Sequence, residues 1–373
     1  MGEWEMVRLG DVCEILDHLR VPITASDRKK GTYPYYGANG LQDYVDDYIF
    51  DDELVLLAED GGNFGSREKP IAYRASGKCW VNNHAHVLKP KSTLNVDYLC
   101  YSIMFYDVSS LISGTTRAKL NQAAMRKMTI PLPPLDIQEK IANVLDRTNA
   151  LIEKRKAQIA KLDLLVKAQF IEMFGDPILN PMGWKIKPLG ELGELNRGIS
   201  KHRPRNDPTL LGGNYPLIQT GEIANTDLYI TEYSATYSEI GLNQSKIWHK
   251  GTLCITIAAN IAKTAILSFD ACFPDSVVGF ISKEHTNQVF IHYWFSFFQK
   301  MIEEQAPQSA QKNINLQILK GIRVIAPDVS LQNQFSDFVG STEAQKKKLS
   351  RGFEVLEMQY KSLVQKCFNG EMF

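Results

Sequence analysis

Two long segments of the chain repeat apolar residues at intervals of three and four positions. The first follows Ile137 and the second follows Leu331, and charged runs such as EKRKAQ and AQKKK occupy the other faces. Such a narrow apolar stripe is typical of helices that pair in a coiled coil. The pattern predicts two spacer helices, over residues 136–174 and 329–373, which most simply pair antiparallel with each other. The expected seam positions are Ile141, Val144, Leu145, Leu151, Ile152, Ile159, Leu162, Leu165, Phe170, Phe335, Phe338, Val339, Leu349, Phe353, Leu356, Tyr360 and Leu363.

The segments outside these helices follow a different pattern. Residues 1–135 and 175–328 contain short apolar runs, such as DELVLLA and GTLCITIA, separated by Gly, Pro and Asn. Runs of this length with turn residues between them predict strands. Each segment also has one aromatic-rich helical stretch, at 96–113 and at 288–305. We therefore predict two β-rich domains of the α+β class.

The chain also repeats itself. WEMVRLGDV at 4–12 matches WKIKPLGEL at 184–192, and each domain closes on a Pro-containing strand end followed by a helix, TIPLPPLDIQEKI at 129–141 and RVIAPDVSLQNQF at 323–335. A long internal repeat predicts two similar structural units. With antiparallel helices between them, the two domains would be held apart and related by an internal pseudo-two-fold axis. The alternative is an ordinary duplication that enlarges one enzyme around a shared cleft, which the two long helices disfavour.

The charge is balanced, with 42 basic and 42 acidic residues. This argues against a chain held to nucleic acid by charge alone, because non-specific affinity grows with the number of phosphates neutralised. Six widely spaced cysteines without a C-x-x-C pair favour reduced thiols in a cytosolic protein over a disulfide framework. The N-terminus lacks a charged-then-apolar signal, and no apolar run reaches the roughly 18 residues that span a bilayer. We expect a cytoplasmic protein without a membrane segment.

Several motifs together resemble those of a known family. IPLPPLDIQEKI at 130–141, MFGDPILNPMGW at 173–184, the pieces GTTRAKL and SAQKNI before each closing strand, and the final FNGEMF are similar to the specificity subunit of type I restriction-modification systems. The resemblance covers essentially the whole chain. The second copy departs from the pattern, since it has Ile325-Ala326-Pro327 where the first has Pro131-Leu132-Pro133, and Val329 where the first has Leu135. Gln332 still matches Gln138.

This resemblance implies how the chain works. Each β-rich domain would be a target-recognition domain that reads one half of a bipartite site in double-stranded DNA, and the paired helices would set the spacing. Two modification subunits, which carry an S-adenosylmethionine-dependent adenine methyltransferase, would dock on the chain, and ATP-driven restriction subunits would join through them. The alternative from another functional class is a coiled-coil scaffold with two protein-binding domains.

Motifs for catalysis are missing from the sequence. It contains neither an N/D-P-P-F/Y/W loop with a Gly-rich cofactor turn nor G-x-x-x-x-G-K-[ST], and no carboxylate-carboxylate-Lys nuclease arrangement. We predict a non-catalytic subunit with no cofactor in this chain, S-adenosylmethionine and ATP binding to partner subunits. His84 and His86 favour structural or hydrogen-bonding roles over a metal site, since no third ligand cluster stands nearby. EDGGNFG at 59–65 fits a recognition loop and a plain turn equally well.

Candidate DNA contacts concentrate in the expected loops. Arg and Lys suit guanine, Asn and Gln suit adenine, and further basic side chains suit phosphates. In the first domain the base-side candidates are Tyr36, Asn39, Gly62, Asn63, Arg67 and Asn83, and the phosphate candidates are Arg28, Lys29, Lys30, Arg117 and Lys119. In the second domain the base-side candidates are Gln219, Thr220, Asn260 and Lys263. The candidates for contact with the DNA backbone are Lys201, Arg203, Arg205, Gln311, Lys312 and Asn313.

Overall fold

The structure is a computed structural model that describes residues 4–114, 117–258, 260–305 and 315–373. The chain divides into two compact units: unit 1 comprises Met1–Lys156 with Arg351–Phe373, and unit 2 comprises Ala157–Ser350. The α-helices in the described ranges are α1 (Leu9–Val12), α2 (Val96–Ile103), α3 (Gln122–Met125), α4 (Leu135–Phe174), α5 (Leu189–Leu192), α6 (Thr220–Ala224), α7 (Glu239–Asn243), α8 (Gln288–Gln305), α9 (Leu316–Gly321) and α10 (Val329–Phe368).

Both predicted spacer helices are present as single long helices. α4 and α10 contain 40 residues each. The boundaries between the units fall inside these two helices, so each unit includes part of α4 and part of α10. This division differs from the expected one, in which each domain ends where a spacer helix begins.

Unit 1 contains a six-stranded sheet and a separate two-stranded sheet. The order of the larger sheet is β2-β7-β5-β6-β3-β4, in which only the β3–β6 pair is parallel, and the smaller sheet pairs β1 with β8. The strands are β1 (Met6–Arg8), β2 (Cys13–Ile15), β3 (Lys30–Gly37), β4 (Gly40–Val45), β5 (Phe50–Ala58), β6 (Ala72–Val81), β7 (Ala85–Pro90) and β8 (Thr129–Pro131).

The central strand β5 explains why this sheet is covered on both faces. Its run from Leu54 to Ala58 is continuously apolar and fully buried. Side chains alternate across a strand, so Val55 and Leu57 join one apolar core with α2 and the long helices, whereas Leu54 and Leu56 join a second core on the opposite face. A continuous apolar run is the expected pattern for a strand buried on both sides.

Unit 2 contains sheets of five, four and two strands. Their orders are β10-β18-β15-β16-β12, β13-β11-β17-β14 and β19-β9. The strands are β9 (Ile186–Pro188), β10 (Gly193–Arg197), β11 (Leu211–Leu217), β12 (Tyr229–Ile230), β13 (Ala235–Tyr237), β14 (Ile247–Trp248), β15 (Leu253–Thr256), β16 (Thr264–Leu267), β17 (Ala271–Cys272), β18 (Val277–Ser282) and β19 (Arg323–Ile325). Strand β15 resembles β5, because Leu253 and Ile255 join one core while Cys254 joins another.

The repeated sequence folds into the same local structure in both units. β1 pairs antiparallel with β8, and β9 pairs antiparallel with β19. The backbone N–H of Leu9 donates to Met128 O, and that of Leu189 donates to Ile322 O, both at the start of a short helix. Each small sheet therefore joins the beginning of a repeat to its closing strand, as expected from the matching sequences.

A buried glutamine in the first turns of each long helix accounts for the rest of the repeated motif. Gln138 Oε1 accepts from the Asn95 N–H at 2.8 Å, and Gln138 Nε2 donates to Pro133 O at 2.7 Å. In unit 2, Gln332 Oε1 accepts from the Asn287 N–H at 2.9 Å, and Nε2 donates to Pro327 O at 2.8 Å. Each glutamine thus ties the long helix to the loop before the aromatic helix α2 or α8.

In unit 1 the two long helices run antiparallel. Ile141 and Leu145 of α4 share a core with Cys367 near the end of α10, and Leu363 packs against that core. Later in α4, the Lys156 ammonium lies 5.7 Å from the Phe353 ring centroid. Since α4 residues of higher number contact α10 residues of lower number, the predicted antiparallel direction is confirmed here.

In unit 2 the same direction holds. Lys346 Nζ lies 2.6 Å from Asp163 Oδ1, whereas Phe170 packs against Phe335, which comes earlier in α10. Two predicted seam positions are wrong: Leu165 is 47% exposed and, in unit 1, Leu151 is 54% exposed. Ile152, which is also a predicted seam position, is buried, and so is Val166, which was not predicted.

The six cysteines are free thiols and are all buried. Burial raises the pKa of the Cys100 thiol to about 12, so this group stays protonated and unreactive at neutral pH. Within the described ranges, no helix is both long enough and apolar enough to cross a membrane.

Candidate nucleic-acid interface

Four loops of unit 1 meet in one place, which we name loop cluster 1 (residues 37–42, 59–64, 82–84 and 113–120 except 115 and 116). Asn39 Nδ2 donates to Gly61 O at 3.0 Å, and the Glu59 N–H donates to His84 O at 2.9 Å. The Leu120 N–H donates to Glu59 O at 2.7 Å. The structure thereby brings together Asn39, Gly62, Asn63, Asn83, Arg117 and Lys119, which lie far apart in the sequence.

An acidic side chain organises the basic groups of loop cluster 1. Asp60 Oδ1 lies 2.6 Å from Arg117 Nη2 and 2.7 Å from His84 Nδ1. Lys119 Nζ lies 2.9 Å from Glu59 Oε1. Arg117 and Lys119 are exposed, so both cations face solvent while the carboxylates that contact them lie beneath. A surface of this kind suits a polyanion, because it offers positive charge and holds the charged side chains in set positions.

Other candidates of the first domain lie outside loop cluster 1. Arg28 is largely buried: its guanidinium stacks over the Tyr35 ring at 4.2 Å and lies 3.4 Å from Asp43 Oδ2. These contacts favour a structural role for Arg28 over the expected phosphate contact. Lys29 and Lys30 are exposed beside it, and the half-buried Tyr36 ring packs on Tyr73 next to loop cluster 1. Arg67 is exposed in the turn that follows Asn63.

Unit 2 has a comparable group, which we name loop cluster 2 (residues 197–207, 219–220 and 274–276). Asp275 binds two arginines, Arg205 through Oδ1 and Arg203 through Oδ2, the latter at 3.3 Å. Arg203 also donates to Ser200 O at 2.7 Å, which fixes its position. Arg205 lines a cavity of about 200 Å³ together with Gln219 and Thr220, so three of the candidates for the second domain share one surface.

The remaining candidates of the second domain do not all lie in loop cluster 2. Asn260 and Lys263 belong to a tight turn after β15, in which the Lys263 N–H donates to Thr256 Oγ1 at 3.1 Å. This turn contacts loop cluster 2 through the Ile257 N–H, which donates to Ser276 O at 3.0 Å. The side chain of Lys201 is exposed. Gln311, Lys312 and Asn313 lie outside the described residues.

Comparison with protein families decides which class of protein this is. The model of the type I restriction modification DNA specificity domain matches residues 1–162 and again residues 181–351. The chain belongs to the type I restriction-modification DNA specificity family. Each match begins at one copy of the internal repeat, so the two matches agree with the duplication read from the sequence.

Individual members of this family are similar along most of the chain. A type I restriction enzyme specificity subunit of Haemophilus influenzae is 28% identical over 365 residues, covering 94% of this chain and 90% of that protein. A type I specificity subunit of Mycoplasma pneumoniae is 25% identical over 296 residues, covering 77% and 76%. The S subunit of a type I restriction-modification system from M. genitalium has the same fold, with a TM-score of 0.65 at 14% identity, covering 98% and 96%.

A buried ionic network underlies loop cluster 1 of this specificity protein. His86 Nδ1 lies 2.7 Å from Asp17 Oδ2, and His86 Nε2 lies 2.8 Å from Leu120 O. Burial raises the pKa of the Asp17 carboxyl, but hydrogen bonds and charge from His86, with bonds from Gln122 and the Val87 N–H, outweigh it and lower the pKa to about 2. The network therefore holds Leu120 of loop cluster 1 to the strand β7.

The same network contains three groups that could in principle bind a metal. Ligand atoms of Asp17, Glu59 and His86 lie within 4.8 Å of one another. However, Arg20 Nη1 lies 2.6 Å from Glu59 Oε2, and Lys119 Nζ also contacts this carboxylate. These cations already balance the acidic charge, which favours the structural role expected for His86. His84 precedes β7 and pairs with Asp60 instead.

Sequence reasoning missed the acidic members of both loop clusters. Asp60 and Asp275 are not among the residues predicted from the sequence. A usable signal was present, however: each aspartate stands in a loop near a strand end. Which arginine belongs to which aspartate depends on loop packing, and spacing along the chain does not encode it.

Proposed function

We propose that this protein is the DNA sequence-recognition subunit of a type I restriction-modification complex. It reads a bipartite site in duplex DNA, with unit 1 contacting one half through loop cluster 1 and unit 2 contacting the other half through loop cluster 2. The observation that carries the proposal is the double match of the DNA specificity domain, once in each repeat. The oriented arginines in both loop clusters support it, because arginine suits base edges and phosphates alike.

The chain acts together with modification subunits. Large apolar side chains stay exposed on the long helices: Leu151, Val355 and Met358 in unit 1, and Leu164, Leu165 and Ile171 in unit 2. Exposed apolar positions of this kind are typical of protein interfaces. We infer that partner subunits bind there, two modification subunits in all, with restriction subunits joining through them.

The partner subunits would carry out methyl transfer and ATP hydrolysis. The chain carries no motif for methyl transfer or ATP hydrolysis, so S-adenosylmethionine and ATP would bind to the partner subunits and this chain would be non-catalytic. It would work in the cytoplasm, where the chromosomal DNA lies. Purified without partners, it should transfer no methyl group to DNA.

An exchange of recognition segments tests the proposal. Residues 189–322, between β9 and β19, would be replaced by the matching segment of a relative, and residues 9–128, between β1 and β8, in a second variant. Each complex would be expressed with its modification subunits, and methylated adenines would be mapped across the host genome. Each exchange should change one half of the methylated sequence and leave the other half as it was.

Two results would contradict the proposal. If methylation is the same with and without this gene, the protein does not read DNA, and a scaffold function is favoured. If either single exchange changes both halves of the methylated sequence, the assignment of one unit to each half-site is wrong.

A further inference from the structure

One arginine of loop cluster 1 is oriented by its neighbours while most of its side chain remains in solvent. Arg117 Nη2 lies 2.6 Å from Asp60 Oδ1, and the Arg117 side chain is 60% exposed whereas that of Asp60 is 16% exposed. Asp60 also lies 2.7 Å from His84 Nδ1. The carboxylate is therefore the inner member of the pair, and the guanidinium is the outer member.

Gly61 provides a second surface that fixes the guanidinium. The residue has a positive φ of 62°, a conformation that favours glycine. A Cβ atom at this position would lie 2.9 Å from Arg117 Nη2 and 3.3 Å from Arg117 Nε. The guanidinium thus covers the Cα of Gly61, and any side chain there would displace it.

The ion pair is not what holds the loop in place. The Leu120 N–H donates to Glu59 O at 2.7 Å, and Ser113 and Lys119 exchange two backbone hydrogen bonds of 2.9 and 2.8 Å. His86 Nε2 adds a contact of 2.8 Å to Leu120 O. Since these contacts close the loop by themselves, the Asp60 contact serves to orient the Arg117 side chain.

An oriented guanidinium has a specific use on DNA. It presents several N–H groups in one plane, and the O6 and N7 atoms of guanine accept two of them side by side in the major groove. A lysine ammonium has no such planar geometry. A guanidinium can also bind a phosphate through two N–H groups, but only a contact with a base edge makes the effect of losing Arg117 depend on the sequence of the duplex.

We propose that Arg117, oriented by Asp60 over Gly61, reads a guanine in the half-site of unit 1, in place of the phosphate contact first expected for it. The inference rests on the proposed function, because it assumes that loop cluster 1 faces DNA. It makes Arg117 a specificity-determining residue and Asp60 and Gly61 its positioning residues.

Selection of preferred duplexes from a randomised pool tests this inference. The complex with modification subunits would be compared with complexes carrying R117A, R117K, D60N or G61A, and with the control R8A, which removes an exposed arginine of β1. R117A and R117K should both lose preference at one G·C pair in one half-site, by about 5- to 100-fold. D60N and G61A should weaken the same position to a smaller degree, and R8A should leave the selected sequence unchanged.

Several outcomes would overturn it. If R117A weakens binding to all sequences equally and R117K restores it, Arg117 contacts a phosphate. If the selected sequence is unchanged in R117A, or contains no G·C pair in the half that an exchange of unit 1 alters, Arg117 reads no guanine. A wild-type complex that selects no sequence would instead refute the proposed function. Thermal unfolding of each variant would show that the changes arise in the folded protein.

Discussion

The ring of Phe170 on α4 meets the ring of Phe335 on α10 edge to face, with their centroids 5.4 Å apart. Both side chains are fully buried in unit 2. Phe174 extends the same contact, since its ring lies 4.9 Å from Phe170 and 5.6 Å from Phe335. Within this unit, the long helices are therefore joined by an aromatic core and not only by an aliphatic stripe.

Removing one ring of this group should destabilise unit 2. Phe170→Ala leaves a cavity in a closely packed core and should lower the free energy of unfolding by about 3–5 kcal/mol. Leu165→Ala, on the same helix but exposed, should change it by less than about 0.5 kcal/mol. Chemical denaturation, monitored through hydrogen exchange in α10, measures the free energy of unfolding of both variants. Equal effects of the two substitutions would mean that the aromatic contact does not stabilise the helix pair.

The buried glutamines give a second prediction, and it applies to both repeats. Gln138→Ala leaves the Asn95 N–H and the carbonyl groups of Thr93 and Pro133 without their partner. Burying such groups unpaired costs about 1–3 kcal/mol, so the loop before α2 should exchange its amide hydrogens faster. Gln332→Ala should have the same effect on the loop before α8.

Exposed glutamines on the same helices are the controls for this comparison. Gln158 lies on α4 and Gln334 on α10, and both are exposed. Their replacement by alanine should leave hydrogen exchange in the two loops unchanged. If Gln138→Ala and Gln158→Ala behaved alike, the repeated glutamine would have no structural role.

The helices and the repeat were predictable because they depend on local spacing. The strand, proline and glutamine of the closing motif stand in the same order in both copies, and Gln138 and Gln332 make matching hydrogen bonds. The errors at Leu151 and Leu165 have a physical cause. Spacings of three and four fit either of two adjacent positions. Val166 is the one that joins the core with Phe335 and Val339 of α10, and of the adjacent predicted pair Leu151 and Ile152 only Ile152 is buried.

The candidate site was less predictable because its contacts join distant parts of the chain. Arg28 is basic and stands near a turn, which suggested a phosphate contact, yet Tyr35 and Asp43 occupy its guanidinium. Asp60 and Arg117 are far apart in sequence and meet only when residues 117–120 pack on the end of β5. Residue type alone therefore identifies the loops, while their packing decides which side chains stay available.

Acid should destabilise unit 2 through a buried histidine. His292 contacts Thr264 Oγ1 at 3.0 Å, and burial lowers its pKa to about 4, against the opposing charge of Asp227. An unfolded histidine has a pKa near 6.5, so the unfolded state binds the proton first as the pH falls. The stabilisation present above pH 6.5 should decrease by about 2 kcal/mol at pH 5.

The variant His292→Gln isolates this effect from other titrating groups. Hydrogen exchange in α8 at pH 5 and at pH 8, corrected for the intrinsic rates, gives the pH dependence of local stability. The difference between these two conditions should be smaller in His292→Gln by about the same 2 kcal/mol. An unchanged difference would mean that His292 is protonated in the folded protein as readily as in the unfolded chain.

Arg205 of loop cluster 2 should contact a phosphate, and the salt dependence of binding should reveal it. Each phosphate contact that is lost reduces the slope of log K against log salt by about 0.9. Arg205→Ala should therefore weaken binding to all duplexes similarly and lower the slope by this amount, while Arg205→Lys should retain it because the charge remains. Arg323→Ala, which removes an exposed arginine of β19, is the control and should leave the slope unchanged. Fluorescence anisotropy of the assembled complex on labelled duplexes at several salt concentrations measures these values. A loss of preference at one base pair in Arg205→Ala, with the slope unchanged, would instead place Arg205 among the residues that read bases.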